Sequence, residues 1–214
     1  MLKGKIAVIT AGPTYEAIDP VRFIGNHSSG KMGYALAAEL VKKGATVHLI
    51  SGPTYLTAPE GVNTIRIQSA QEMYTVAAPL AEISDIVILA AAVADYRPKE
   101  VSDTKIKKSE NEMTLELVKN IDIAKTLGAN KKPHQLFAGF ALETNNQLEN
   151  AKSKLKSKNF DFIVLNSLQK DNQVFGSDFN KITIIDHTKQ YDFEFKPKDE
   201  VAADIISFIE TKLS

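Results

Sequence analysis

Short unbroken apolar runs alternate along most of the chain with stretches spaced as helix faces. Ile6-Ala7-Val8-Ile9, Val47-His48-Leu49-Ile50, Asp85-Ile86-Val87-Ile88-Leu89, Leu136-Phe137-Ala138-Gly139-Phe140-Ala141 and Phe160-Asp161-Phe162-Ile163-Val164-Leu165-Asn166 have the length and composition of strands buried on both faces, with Thr64-Ile65-Arg66-Ile67 a shorter one. Between them, Met32, Ala35, Leu36 and Leu40 share one helical face, as do Met73, Val76, Ala77 and Leu80 within residues 70–82. A short helix is expected over residues 122–127, and a longer one from Asn145 or Asn146 through Leu148, Ala151 and Leu155 to Lys158. Strands alternating with helices predict an α/β fold around a mainly parallel sheet. The first two long strands both run into Gly-Pro-Thr-Tyr, at Gly12-Pro13-Thr14-Tyr15 and Gly52-Pro53-Thr54-Tyr55. Like turns after neighbouring parallel strands fall on one edge of the sheet, the edge where open α/β folds hold ligands. For the second copy, ordinary turn chemistry is the better reading.

Two segments break the pattern. Lys105-Ile106-Lys107-Lys108 and Met113-Thr114-Leu115-Glu116-Leu117-Val118 alternate on either side of a polar turn, which predicts an inserted β-hairpin, a flap over about residues 104–119. Such a hairpin suits a lid or a subunit contact, and its lysines suit either a solvated edge or a phosphate. Near the end, Ile182-Thr183-Ile184-Ile185 and Tyr191-Asp192-Phe193-Glu194-Phe195 read as an antiparallel pair ahead of a final helix bearing Val201, Ile205, Phe208 and Ile209.

The stretch richest in chemistry is Asn26-His27-Ser28-Ser29-Gly30-Lys31-Met32-Gly33. Ser28 or Ser29 is placed to cap the following helix, which closes on Lys42, Lys43 and Gly44. The positive end of that helix faces a loop in which Gly25, Gly30 and Gly33 let a phosphate or carboxylate approach the backbone. A serine-capped core helix with glycines for packing accounts for the same residues. The connection over residues 14–26 is longer than an ordinary strand-to-helix turn and carries Arg22, whose fork suits an anion or a carboxylate such as Glu16 or Asp19. Small residues after the third long strand, Ala90-Ala91-Ala92-Val93-Ala94, lead to Asp95, either a turn cap or a ligand contact. Lys154 and Lys158 lie one helical turn apart, on a solvated face or against phosphate.

Composition narrows the classes. At 214 residues and 43% hydrophobic content the chain can bury a full core, and one domain is expected. The 26 basic and 26 acidic residues balance, which leaves no basic excess for a nucleic-acid partner. With no cysteine, disulfides, thiolate metal sites and cysteine nucleophiles are excluded, and the four histidines lack metal-ligand spacing. No apolar segment has the length of a membrane span or the form of a signal peptide, so a cytoplasmic protein without a membrane partner is expected. Gly25 to Lys31 fits G-x-x-x-x-G-K, but Met32 stands where a P-loop needs Ser or Thr, and the first strand ends well before Gly25. A dinucleotide oxidoreductase wants G-x-G-x-x-G in the first strand-to-helix turn and an acid after the second strand, and neither is present. That class and a non-catalytic nucleotide sensor stay open on residues alone.

Six motifs taken in order resemble the phosphopantothenate-cysteine ligase family of coenzyme A biosynthesis: Ile9-Thr10-Ala11-Gly12-Pro13-Thr14, Asp19-Pro20-Val21-Arg22, residues 26–33, Ala91-Ala92-Val93-Ala94-Asp95-Tyr96, Lys105-Ile106-Lys107-Lys108 and Gly139-Phe140-Ala141-Leu142-Glu143-Thr144. The resemblance spans nearly the whole chain and implies a Rossmann-like three-layer fold. It implies a ligase that activates the carboxylate of 4'-phosphopantothenate on a nucleoside triphosphate, CTP as in bacterial relatives, and passes the acyl group to the amine of cysteine. Mg2+ is the implied cofactor, no flavin is implied, and a homodimer is expected. The chain starts at the ligase part and so is similar to the free-standing form, with a separate decarboxylase acting next in the pathway. Carried over by position, Asn26 and Lys105 are the catalytic candidates. Asn26, Ala91 and Ala92 would line the phosphopantothenate, with Arg22 for its phosphate. Asp95, Lys105, Ile121, Asp122, Ile123, Ala124, Phe140, Lys154 and Lys158 would surround the nucleotide. Gly12, Ser28, Gly30, Gly33 and Asn166 are further nucleotide contacts, with packing or capping as their alternatives. Ile121 stands where bacterial relatives often carry proline. No protein ligand for a metal is assigned.

Overall fold

The structure, a computed structural model, describes residues 1–107, 112–143, 145–166 and 177–213. In chain order the strands and helices are β1 (Ile6–Ala11), β2 (Tyr15–Ala17), β3 (Phe23–Gly25), α1 (Lys31–Lys42), β4 (Thr46–Ser51), β5 (Val62–Arg66), α2 (Ala70–Ile83), β6 (Ile86–Leu89), β7 (Tyr96–Pro98), β8 (Leu117–Lys119), α3 (Ile123–Ala129), β9 (Leu136–Leu142), α4 (Gln147–Ser157), β10 (Phe162–Asn166), β11 (Phe179–Asn180), β12 (Ile182–Asp186), β13 (Gln190–Asp192), β14 (Lys196–Pro197) and α5 (Lys198–Leu213). Eight strands form one sheet in the order β13-β12-β10-β9-β6-β1-β4-β5. From β10 to β5 neighbours run parallel, and β12 and β13 extend the edge antiparallel.

The apolar runs are continuous because each strand is covered on both sides. Alternate residues go to opposite faces: Ala7, Ile9 and Ala11 of β1 and Ile86 and Ile88 of β6 pack with α1 and α5, through Leu36, Leu40, Val201 and Ile205. Val8, Val87 and Leu89 pack the other way, onto Met73 and Ala77 of α2, Ile123 and Leu127 of α3, and Ala151 and Leu155 of α4. The three-layer α/β fold with a mainly parallel sheet is as expected. In α1 the deepest residues are Leu36, Ala37 and Leu40, while Met32 and Ala35 are only half-buried.

The inserted ribbon is present but its strands differ from the expected ones. Leu117–Lys119 pairs with Tyr96–Pro98, not with residues 105–107. Residues 105–107 form no strand because their backbone is engaged elsewhere: Ile106 N donates to Asp19 Oδ2 at 3.2 Å and Ile106 O accepts from the Arg22 guanidinium at 3.0 Å. Lys108 and the intended turn at 109–111 lie outside the described residues. The long first connection holds a small ribbon of its own, β2 against β3, closed by the stacked rings of Tyr15 and Phe23 with centroids 3.8 Å apart. The C-terminal antiparallel pair is β12 with β13, shorter on its second strand than expected; the chain then continues as β14, which pairs with β11.

At the end of β12, Asp186 is buried and holds the turn to β13. It accepts from Thr188 N at 2.8 Å, Lys189 N at 2.7 Å and Lys212 Nζ of α5 at 2.7 Å. Burial works against its ionisation, but these donors outweigh it and keep the carboxyl well below the usual carboxylate range. A depressed pKa stabilises the fold above the unfolded value near 4 and loses that contribution as pH falls through the native one. Asp186→Asn is therefore expected to cost roughly 2 kcal/mol at pH 7. The difference from the parent, measured by urea unfolding, should narrow steadily below about pH 4. A difference that stays constant down to pH 2 would remove the ionic explanation.

Candidate functional site

Two of the sheet's connections leave in opposite directions. From β1 the chain goes through α1 to β4 on one side, while β6 pairs with β1 on the other. A crevice opens beyond the carboxyl ends of strands that part in this way. Here it is a cavity of about 850 Å3 whose lining includes Thr10, residues 28–33, residues 89–96 and residues 119–125. The far wall is Phe140 of β9, Lys154 and Lys158 at α4, and Asn166, Asn180 and Lys198.

The floor is backbone. Residues 90–94 leave β6 and are stitched to the end of β1: Ala90 N donates to Thr10 O at 3.1 Å, Ala92 N to Gly12 O at 2.9 Å, and Ala94 N to Thr14 Oγ1 at 2.9 Å. Alanines here keep side chains from filling the space above. Asn26 reaches over this floor, its Nδ2 donating to Ala92 O at 3.0 Å. Asn120 secures the other end, donating from Nδ2 to Ala94 O at 2.8 Å.

The helix start differs from the expected serine cap. Gly30 is the N-cap residue, in the left-handed region at φ 79°, and no side chain caps α1. Ser28 Oγ instead accepts from Gly30 N at 3.3 Å. The positive φ favours glycine, and a Cβ at Gly30 would also lie 2.9 Å from Thr54 Cγ2. Gly33 has a packing role as well, since a Cβ there would meet Ala11 Cβ at 2.5 Å where α1 crosses β1. The result is a helix N-terminus, without a side chain across it, that faces the cavity.

On the opposite wall, Asp122 caps α3 by accepting from Lys125 N at 3.0 Å and pairs with Lys158 Nζ at 3.1 Å. Burial opposes its ionisation, yet the Lys125 amide and the Lys158 ammonium prevail and hold the carboxyl below the usual range. Lys154 pairs with Glu143 at 2.6 Å. Both lysines therefore stand at the cavity with a carboxylate partner beside them.

Of the residues singled out from sequence, Asn26, Ser28, Gly30, Gly33, Ala91, Ala92, Asp95, Ile121, Asp122, Ile123, Ala124, Phe140, Lys154, Lys158 and Asn166 all line this cavity. Three do not. Gly12 lies behind Gly30, its Cα 3.4 Å from where a Gly30 Cβ would be. Arg22 is turned to the buried Asp19, which it pairs with through both Nε and NH2, and not to Glu16, whose Oε1 accepts from Ala70 N at 2.9 Å. The Arg22 guanidinium holds the Asp19 carboxyl well below the usual range. Lys105 is exposed outside the lining. The structure adds Lys31, Lys119, Asn120, Asn180 and Lys198. Lys31 ended a recognisable G-x-x-x-x-G-K run, and Asn120 immediately precedes Ile121, which the resemblance assigned to the nucleotide. Asn180 and Lys198 had no local signal: Lys198 is brought here by the packing of α5 on α1, and Asn180 by the placing of β11 beside the end of β10, where it bonds to Asn166. Among the described residues no three His, Asp or Glu side chains gather as a metal site, and no helix is long and apolar enough to cross a membrane.

These features define a doubly wound α/β protein with a large cavity at its topological switch point, floored by backbone and flanked by lysines. Comparison with known proteins narrows the class. Residues 2–213 match the family model described as the DNA/pantothenate metabolism flavoprotein C-terminal domain, and the chain belongs to that family. It is 47% identical over 208 residues to the coenzyme A biosynthesis bifunctional protein CoaBC of Haemophilus influenzae, covering 97% of this chain and 52% of that protein. It is 51% identical over 212 residues to a cysteine/cysteine sulfinic acid decarboxylase from an unknown prokaryotic organism, covering 98% of this chain and 59% of that protein. The chain thus spans little more than half the length of these relatives. Among solved structures, the C-terminal domain of CoaBC is 43% identical and superposes with a TM-score of 0.84 over 99% of this chain and 97% of that one. The fold also recurs, at 17% identity and a TM-score of 0.76, in a Cab2 mutant complexed with phosphopantothenate-cysteine, over 98% of this chain and 87% of that one.

Proposed function

We propose that the chain is a phosphopantothenate-cysteine ligase acting through an acyl-nucleotide. The observation that carries this is the cavity itself: an uncapped helix N-terminus, a backbone floor crossed by Asn26, and two lysines one turn apart opposite. The high identity to the C-terminal domain of CoaBC over almost its full length supports the same reading. The first connection after β1 offers Gly12-Pro13 and a ribbon, not a glycine-rich turn opening a helix, so a nicotinamide oxidoreductase finds no support here.

In this reading the carboxylate of 4'-phosphopantothenate attacks the α-phosphorus of CTP, and the bond to the bridging oxygen of pyrophosphate breaks. The amine of cysteine then attacks the acyl carbon, the bond to the nucleotide oxygen breaks, and the amine gives up a proton. Asn26 sits over the floor beside Ala91 and Ala92, where its amide can donate to the acyl oxygen and accept from the incoming amine. Phe140 and residues 121–124 supply an apolar and backbone wall for the base, and Lys154, Lys158 and the α1 N-terminus meet the phosphates. Asp95 and Asp122 line the cavity singly, which fits magnesium carried in on phosphate oxygens better than a resident metal. When bound, that ion neutralises charge on the phosphates.

Arg22 is paired with Asp19, and Lys105, exposed outside the cavity lining, precedes Ile106, whose backbone bonds to both Asp19 and Arg22. We assign Arg22 and Lys105 to a neighbouring site in a homodimer, through the face on which Val21, Phe23, Tyr96 and Leu117 are exposed. Sedimentation at twice the chain mass is expected, and a monomer at working concentration would contradict the dimer. Purified protein given phosphopantothenate and CTP should release pyrophosphate, faster with cysteine present, and ATP should replace CTP poorly. No pyrophosphate under any of these conditions would remove the ligase assignment. Replacing Lys158 by Ala should raise the KM for CTP by about tenfold. Unchanged KM would place the triphosphate elsewhere.

A further inference from the structure

One end of the cavity has a buried polar group with no role so far. Asn180 of β11 is 1% exposed and lines the cavity, and its Oδ1 has no hydrogen-bond partner among the described residues. Its Nδ2 donates to Asn166 Oδ1, at the carboxyl end of β10, at 2.8 Å. A buried amide oxygen left without a partner costs on the order of 1–3 kcal/mol, so a fold that keeps one at a cavity wall points to a ligand that completes it.

The surroundings indicate the ligand's charge. Lys31, the first residue of α1, and Lys198, the first residue of α5, both line this end. Lys31 Nζ pairs with Asp178 at 2.5 Å, and Lys198 Nζ donates to Ser177 O at 2.6 Å. The two ammonium groups lie near enough that Lys31, after burial, helps to hold Lys198 below the usual lysine range, with Asp178 acting in the opposite sense. Among the described residues two cations stand here with one carboxylate, Asp178, beside the N-terminus of α1, which favours an anion. An amide pair has two arrangements that preserve its internal hydrogen bond. Turning both over makes Asn166 Nδ2 the donor to Asn180 Oδ1 and puts an N–H of Asn180 where its unpartnered oxygen was. An anion at this end selects the second arrangement.

Resting on the ligase reading, we propose that Asn180, backed by Asn166 and flanked by Lys31 and Lys198, is the subsite for the terminal phosphates of the nucleotide and holds the pyrophosphate that departs. The subsite reads the length of the polyphosphate and not the base. Calorimetric titration of magnesium pyrophosphate and of CMP into the parent, Asn180→Asp and Lys198→Gln tests this, with ligase turnover of the parent followed in parallel. Asn180→Asp keeps the shape but sets a carboxylate against the anion. Pyrophosphate affinity should fall by at least about tenfold in both variants while CMP affinity changes by no more than about twofold. Equal weakening of both ligands, unchanged pyrophosphate affinity, or no pyrophosphate binding by the parent would each overturn the subsite. If Asn180→Asp loses its cooperative melt, Lys198→Gln carries the comparison alone. A parent that turns over while the variants bind pyrophosphate normally sinks the subsite and spares the ligase; selective loss of pyrophosphate in the variants of a parent that never turns over does the reverse.

Discussion

Asn26→Ala is expected to stop the reaction halfway. The variant should still release pyrophosphate from CTP and phosphopantothenate in a first turnover, because the α1 N-terminus and the lysines that would meet the phosphates are untouched. It should then accumulate the acyl-cytidylate, with formation of the cysteine adduct reduced by about 100-fold or more, the cost of deleting one donor to a developing oxyanion. The geometry explains why so short a side chain has this effect. Its amide is fixed by a 3.0 Å hydrogen bond to Ala92 O, so it is already aimed at the floor where the acyl group would lie. Rapid quenching followed by mass spectrometry would show the intermediate. Recovery of free phosphopantothenate and CTP alone, with no intermediate trapped at any time, would contradict the second-step role.

Gly52→Ala is expected to have the largest effect on folding of any single methyl addition at the sheet's ligand edge. An added Cβ would lie 1.7 Å from Pro13 O, a backbone atom that cannot swing aside. The two Gly-Pro turns pack against each other, Gly52 N donating to Ala11 O at 2.9 Å, so relief requires the ends of β1 and β4 to separate. Overpacking of this severity is at the upper end of single-mutation effects, about 4 kcal/mol, and in a chain of this size lowers Tm by roughly 10 °C. Because Pro13 also bridges to Ala92, CTP affinity should fall with it. A Tm within 2 °C of the parent would show that the turns are looser than the contact implies.

The sequence of the second glycine turn suggested ordinary turn chemistry, and its close packing on Pro13 appears only in the fold. The parallel strands were legible because both faces of β1, β6, β9 and β10 are buried, which leaves uninterrupted apolar runs. Part of the cavity was legible from topology, since Ala91, Ala92 and Asn166 sit at the carboxyl ends of those strands; Ile121 to Ala124, Lys154 and Lys158 were assigned to the nucleotide through the family resemblance. The ribbon was misplaced for a physical reason. Alternation at residues 105–108 is a valid strand pattern, but the ion pair of Asp19 and Arg22 takes up the backbone of Ile106, a competition between segments 84 or more residues apart. The serine cap failed at short range, since a left-handed Gly30 turns the chain and leaves Ser28 bonded two residues away. Asn180 and Lys198 were invisible for want of any local motif; the C-terminal helix packed on α1 delivers Lys198, and β11, held beside the end of β10, delivers Asn180.

The central claim is that a carboxylate becomes reactive by joining a nucleotide at its α-phosphate in this cavity, and the oxygen atoms record it. With phosphopantothenate carrying 18O in both carboxylate oxygens, CTP and cysteine, the account predicts one 18O in the phosphate of the CMP formed, one in the new amide, and none in pyrophosphate. Label appearing in inorganic phosphate with CDP as the other product, or unlabelled CMP, would contradict it.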